Sequence, residues 1–387
     1  MGFGSVENQL NVFQVDLSTV LGILFLPYYP RFQTRINNTK VNPPARMGQK
    51  LSLLAPSAPT IAISSYVDAL ENYQYVELLN NSRFLKTIKA IDKSTGNFVI
   101  IKLLIKPSTP SYTLQLQDVL EYLVKESSML YPFKSILTWH KLIETDRAGY
   151  MIREMAKINL YDRLSLRPFL EQVEKLFITF QLLKIVCELH SLNVHHGDLR
   201  LENILVTSWN WVLITDFANL IKPTYIPEDN PNQFSFYFDS SGRRVCYIAP
   251  ERFYNSQNSA TRNILNYNDD GSFNFKNNVT DEMDLFSLGC VIAEIWCDGE
   301  PVFTLSQLFK YMKNEYEPDL SSIQHPHIVS LIKKLLKVNP GERASARELL
   351  QEFRSVCFPD FFYTFLYEFM EGINDREYFT PENKNDK

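Results

Sequence analysis

The sequence predicts an α+β fold built as two unequal lobes, a small mainly-β lobe followed by a large mainly-α one. Between Tyr73 and Met155 short β-rich runs recur, at Thr87 to Ile91, Phe98 to Ile105 and Tyr150 to Met155, around a helical stretch from Leu114 to Met129. Beyond a short connection the period becomes that of long amphipathic helices, as in Glu174 to His190, where Phe177, Phe180, Leu183 and Val186 fall near one face. With 387 residues, 45% of them hydrophobic, the chain can bury two cores or one large core divided by a cleft.

Taken in order, residues 1–46 carry no sustained periodicity and read as an extension outside the fold. Its longest apolar run, Val20 to Leu26, ends at Pro27 and is too short to span a bilayer. Residues 47–72 form an arm, 73–157 the small lobe, 158–373 the large lobe, and 374–387 a polar tail expected to be disordered. Near the end of the large lobe Phe361, Phe365 and Phe369 fall at i, i+4 and i+8, with Phe362 and Leu366 beside them. This helix is expected to pack its aromatic stripe on its own lobe.

Composition narrows the function classes. A formal charge of -5 supplies no basic face to follow a phosphodiester backbone, so no nucleic acid partner is expected. The five cysteines are scattered through apolar runs and read as core thiols of a reduced, cytoplasmic protein rather than a disulfide or zinc framework.

The chemistry concentrates in His196-Gly197-Asp198-Leu199-Arg200-Leu201-Glu202-Asn203, then Ile204-Leu205-Val206, a polar turn, Val212-Leu213-Ile214, and Asp216-Phe217-Ala218. This is a loop, a hairpin and a second loop, and the hairpin brings Asp198, Asn203 and Asp216 to one edge of the large lobe. Convergent oxygen ligands suit Mg2+ bridging nucleotide phosphates. Lys102 closes the apolar run Phe98-Val99-Ile100-Ile101, where burial of a cation demands an anionic partner, a phosphate or a carboxylate. Glu121 is the expected carboxylate, with Asp118 and Glu126 as alternatives on the same helical stretch.

The order of these segments resembles that of protein kinases: a catalytic loop ending in asparagine, then Asp-Phe-Gly, then Ala-Pro-Glu, here Ala249-Pro250-Glu251. The resemblance implies a bilobal kinase fold binding ATP or another purine nucleotide. It implies that Asp198 positions a substrate hydroxyl, Asn203 and Asp216 hold Mg2+, and Lys102 holds phosphates with Glu121 beside it. Arg200 falls where many kinases place a lysine that steadies the transferred phosphoryl. Asp284 is expected to brace the catalytic loop, and Arg343 to pair with Glu251. Four departures bear on turnover. Side chains replace glycines in Leu79-Asn80-Asn81-Ser82-Arg83-Phe84-Leu85, so backbone amides approach phosphates less closely. Gly197 replaces an arginine that would read a phosphorylated segment, Arg200 is bulkier than lysine, and Ala218 restricts the backbone after Asp216-Phe217.

Further segments are narrower in their likeness: Asn159 to Leu164, Ser208-Trp209-Asn210-Trp211, Lys222 to Pro231, Arg244 to Phe253, and Phe358 to Phe365. From about Met47 to Phe369 the chain resembles the vacuolar protein sorting-associated protein 15 family. That resemblance implies a serine/threonine-kinase-like regulatory subunit whose partner is the catalytic subunit of the class III phosphatidylinositol 3-kinase, in endosomal sorting and autophagy. It also implies HEAT repeats and a WD-repeat propeller downstream, so the chain is expected to be a fragment or a truncated product. Met47-Gly48-Gln49-Lys50-Leu51-Ser52 fits an N-myristoylation pattern, so Met47 is expected to be the natural start and a peripheral membrane contact is expected. Two functions stay open: a serine/threonine protein kinase, or a pseudokinase that binds nucleotide and acts by contact with the lipid kinase.

Overall fold

The computed structural model describes residues 62–373, except 83, 107–109, 157, 208, 219–220, 240–241 and 256–278, and gives the backbone alone at 110–118, 120 and 373. The extension, the Met47-Gly48 pattern, most of the arm and the polar tail therefore lie outside the described residues.

A short helix α1 (Ile63–Asp68) leads into the small lobe. Its strands are β1 (Tyr73–Asn81), β2 (Lys86–Asp92) and β3 (Phe98–Ile105), then, after helix α2 (Pro110–Leu130) and the short β4 (Ile136–Leu137), β5 (Lys141–Glu144) and β6 (Ala148–Glu154). Five of them form one antiparallel sheet in the order β1-β2-β3-β6-β5. Successive side chains of a strand point to opposite faces. Thus Val99, Ile101 and Leu103 of β3 meet Ile88, Ala90, Tyr150 and Ile152 in one core. Leu104, on the other face, packs with Val119 and Leu123 of α2, Trp139 and Met151. Burial on both faces is why β3 reads as an unbroken apolar run. Lys102 stands on the second face, opposite Met151 of β6, and Arg153 stands two residues along β6 on that same face.

The large lobe contains α3 (Leu160–Ser165), α4 (Gln172–Ser191), the hairpin β7 (Ile204–Val206) and β8 (Val212–Thr215), β9 (Ile226–Pro227), α5 (Pro231–Tyr237) and β10 (Phe253–Tyr254). It continues with α6 (Asp281–Trp296), α7 (Leu305–Met312), α8 (Pro326–Leu335) and α9 (Ala346–Glu352), and ends in a π turn at Phe362–Leu366 and α10 (Tyr367–Ile373). Glu171 and Glu174 close a capping box at the start of α4, satisfying its first amides. The one-sided face expected for α4 is too narrow a reading: Phe177, Leu182, Leu183 and Ile185 are all fully buried, because α4 runs through the middle of the lobe. Gly289 lets α6 and α8 approach, since a Cβ there would stand 2.8 Å from the Leu335 Cβ.

The terminal helix departs from expectation. The buried stripe is Phe362, Leu366 and Met370, while Phe365 and Phe369 stack on each other at 5.3 Å with their outer surfaces exposed. The period was legible; its phase was not, because neighbouring apolar positions compete for the same core. Cys246, Cys290 and Cys357 are buried and Cys187 and Cys297 half-buried, all as free thiols. Among the described residues no helix is long and apolar enough to cross a membrane.

Candidate active site

The floor of the cleft is set by a buried hydrogen-bond frame. Asp284, near the start of α6, accepts the amides of His196 (2.6 Å) and Gly197 (2.9 Å) on separate carboxylate oxygens. The His196 ring accepts the Asp198 amide at Nδ1 (3.1 Å) and donates from Nε2 to the Thr215 carbonyl (2.9 Å), tying the catalytic loop to the end of β8. Burial pushes the His196 imidazole below its ordinary value, against the pull of Asp284, which favours this neutral tautomer. Asn203 donates to the Asp198 carbonyl (2.9 Å) and to Asp198 Oδ2 (3.2 Å). Asp216 adopts φ of 65°, a left-handed conformation that aspartate tolerates better than most residues, and Phe217 lies against His196 at 4.7 Å.

Three cations meet the two carboxylates. Lys102 Nζ lies 2.9 Å from Asp216 Oδ2. Arg153 donates to both oxygens of the same carboxylate, at 2.9 and 3.2 Å. Lys222 Nζ lies 2.6 Å from Asp198 Oδ2. Burial raises the Asp216 carboxyl, but Arg153 and then Lys102 overcome it and hold the group well below the usual carboxylate range. Burial likewise pushes the Lys222 amine down, against Asp198, with Arg200 and Lys102 close enough to add to the depression.

The structure brings Lys102, Asp216, Asp198 and Asn203 together and treats two other expected residues differently. Glu121 is exposed on α2, whereas Glu126, five residues on, is buried; the helix turns Glu121 to solvent, and the ion pair of Lys102 is with Asp216. Asp118 lies where side chains are outside the described residues. Arg200 is spent elsewhere: Nε and Nη2 bind the two oxygens of Glu202, both at 2.9 Å, and Nη1 donates to the Phe238 carbonyl at 2.7 Å. A planar fork next to a carboxylate two residues away finds a bidentate partner more readily than it reaches a phosphoryl group. Sequence reasoning missed Arg153 and Lys222. Arg153 carried the same signal as Lys102, a cation closing an apolar strand, whereas Lys222 before Pro223 carried none.

The other departures have structural consequences. Between β1 and β2 the turn closes on Ser82, whose hydroxyl accepts the Leu85 amide at 3.1 Å. Phe84 then reaches the large lobe, with its ring 4.9 Å from Tyr237 and 5.8 Å from Phe236, so an aromatic side chain spans the mouth of the cleft. Gly197 adopts φ of 77°, the left-handed region that favours glycine, and Arg252 beside it is buried. Arg252 donates to the carbonyls of Gly197 (2.8 Å), Pro223 (3.1 Å) and Thr224 (2.7 Å), stitching the catalytic loop to the segment carrying Lys222. Arg243 contacts Glu202, Glu294 and Tyr247, so that segment is fixed by side chains of the protein itself. Arg343 binds Glu251 with two bonds, at 2.6 and 2.8 Å.

For Mg2+ the donors are of the right class, an amide oxygen and a carboxylate. Asp216 already shares both oxygens with Lys102 and Arg153, so a metal there competes with two cations for one carboxylate.

Residues 73–353 match the protein kinase domain family. Serine/threonine-protein kinase VPS15 of Saccharomyces cerevisiae is 48% identical over 343 residues, 88% of this chain and 22% of that protein. Probable serine/threonine-protein kinase vps15 of Dictyostelium discoideum is 43% identical over 320 residues, 81% of this chain and 15% of that protein. Serine/threonine-protein kinase VPS15 of Arabidopsis thaliana is 36% identical over 325 residues, 83% of this chain and 21% of that protein. The chain thus spans about a fifth of the length of these relatives. A bilobal fold, a loop at His196-Gly197 held by Asp284 and tied through His196 to the strand before Asp216-Phe217, and a family match that takes in the small lobe and the large lobe as far as residue 353 lead to one conclusion: the chain belongs to the protein kinase family, and its likeness within it is to the VPS15 kinases.

Proposed function

We propose that the chain is a serine/threonine protein kinase module that binds ATP or another purine nucleotide with Mg2+ in the cleft between its lobes. The observation that carries this reading is the meeting of Lys102 with Asp216, just past the end of β8, and of Asn203 with Asp198, just before the start of β7, at the two ends of one hairpin. In this reading Lys102 holds phosphate oxygens, Asn203 and Asp216 supply the metal's oxygen ligands, and Asp198 orients the attacking hydroxyl and receives its proton. Bound Mg2+ supplies charge neutralisation on the phosphates. The resemblance to the vacuolar protein sorting-associated protein 15 family, borne by the segments Ser208-Trp209-Asn210-Trp211 and Lys222 to Pro231, supports a further proposal: a place as a regulatory subunit of the class III phosphatidylinositol 3-kinase in vacuolar and endosomal sorting and autophagy, in peripheral contact with membranes.

A second reading is favoured by Arg153 and Phe84: a nucleotide-binding pseudokinase that acts by contact with the lipid kinase. Arg153 occupies Asp216, and Phe84 lies across the cleft mouth, both of which oppose turnover. Phosphotransfer from ATP by the purified chain separates the two. A kinase loses transfer in Asp198→Ala and in Asp216→Ala; equal background in all three proteins, with nucleotide still raising the unfolding temperature, establishes the pseudokinase.

A further inference from the structure

We infer that Lys222, and not Arg200, is the cation that meets the terminal phosphate of a bound nucleotide beside Asp198. This rests on the reading of the cleft as a nucleotide site. The role needs a positive group in direct contact with Asp198, held rigidly and open to no better partner. Arg200 does not meet this requirement, because its Nε, Nη1 and Nη2 all bind Glu202 or the Phe238 carbonyl.

Lys222 meets it from a different part of the chain. Its amide donates to the Ala218 carbonyl at 3.0 Å, closing one turn after Asp216-Phe217 that brings residue 222 back toward the catalytic loop. Arg252 then clamps the next two carbonyls, those of Pro223 and Thr224. The aliphatic stem is buried, and the amine lies 5.1 Å from the centre of the Phe238 ring and 2.6 Å from Asp198 Oδ2. Phe238 thus has a double function, capping Arg200 with its carbonyl and seating Lys222 with its ring. A compact ammonium with three donors can keep Asp198 and still donate to a phosphate oxygen, which a guanidinium locked in a bidentate pair cannot. Lys102 and Lys222 then hold the phosphates from the two sides of the cleft, one from β3 and one from the large lobe.

The test uses the full chain and nucleotide acyl phosphates, with adenosine and guanosine versions run in parallel. In these probes an amine attacks the acyl carbonyl, an amide bond forms, the carbonyl-to-phosphate oxygen bond breaks with its electrons leaving on the nucleotide, and the amine proton passes to solvent. Peptide mass spectrometry is expected to find acylation at both Lys102 and Lys222, each suppressed by excess unmodified triphosphate. Labelling at Lys102 with none at Lys222 overturns the inference while leaving the nucleotide site intact. Labelling at neither, with either base, overturns the nucleotide reading itself and this inference with it. A second measurement compares triphosphate with diphosphate affinity. Lys222→Met is expected to reduce the preference for triphosphate about tenfold, as loss of one charge-assisted bond requires. An unchanged ratio in folded Lys222→Met overturns the assignment.

Discussion

The two walls of the cleft are built on different principles. The large-lobe wall is a closed frame in which Asp284, His196, Asn203, Arg252 and Arg343 each hold a specific backbone or side-chain group through buried hydrogen bonds. The small-lobe wall is a sheet face that brings two cations, Lys102 and Arg153, to one carboxylate, roofed by a turn that closes with an aromatic ring. The frame fixes geometry, since halving any buried pair leaves an unpaired group in a low-dielectric interior. The roof fixes access and charge, which change without disturbing the fold.

The comparison breaks first on the large-lobe side. Arg343→Ala removes both bonds to Glu251 and those to three backbone carbonyls, and is expected to lower unfolding stability by about 3–5 kcal/mol in urea titrations. A loss below about 1 kcal/mol would mean that the frame is not what holds this lobe.

Next in size is an acid effect. Burial raises the Glu202 carboxyl, but Arg200 and Arg243 overcome it and hold it at about 2, below its ordinary value of 4.5. A depressed folded-state value adds stability above the unfolded value that is lost as pH falls through the folded one. Unfolding stability is thus expected to fall between pH of about 4.5 and about 2, by up to about 3 kcal/mol from this group. Glu202→Gln should remove that part of the slope, as read from denaturant midpoints across the window.

On the small-lobe side, Arg153→Met releases one claim on Asp216. Nucleotide-dependent thermal stabilisation should then require roughly tenfold less magnesium, the scale of one charge-assisted bond. No change in magnesium dependence would show that Arg153 is a packing residue alone. The smallest effect is expected for Phe84→Ala, which removes the ring contacts with Phe236 and Tyr237 at a stability cost of about 1 kcal/mol. Nucleotide association, followed by stopped-flow fluorescence, should become faster, whereas a slower rate would mean that Phe84 supports the site instead of covering it.

Much of this was legible from residue order. The lobes followed from the change of hydrophobic period, and Asp198, Asn203 and Asp216 from a loop, hairpin and loop whose spacing leaves little choice of where the loops meet. Strand β1 was harder, since irregular pairing with β2 near Tyr75 and Leu78 breaks its alternation. Glu121 was expected beside Lys102 because a helix spacing gives a period without a phase; it stands exposed on α2, and the ion pair that the packed backbone gives Lys102 is with Asp216. The bidentate pair of Arg200 with Glu202 was not legible, because in the chain the two are visible only as neighbours.

By itself, the order of residues determined the family, the two lobes and the acidic groups around which the cleft is arranged, since hydrophobic period and short-range loop chemistry act over a few residues. Tertiary structure alone decided which cations those groups meet. Lys222 reaches Asp198 from 24 residues away and Arg153 reaches Asp216 from 63. Ion pairs form between whichever charged ends the packed backbone leaves within a few ångströms, and that distance exists only after both cores have closed.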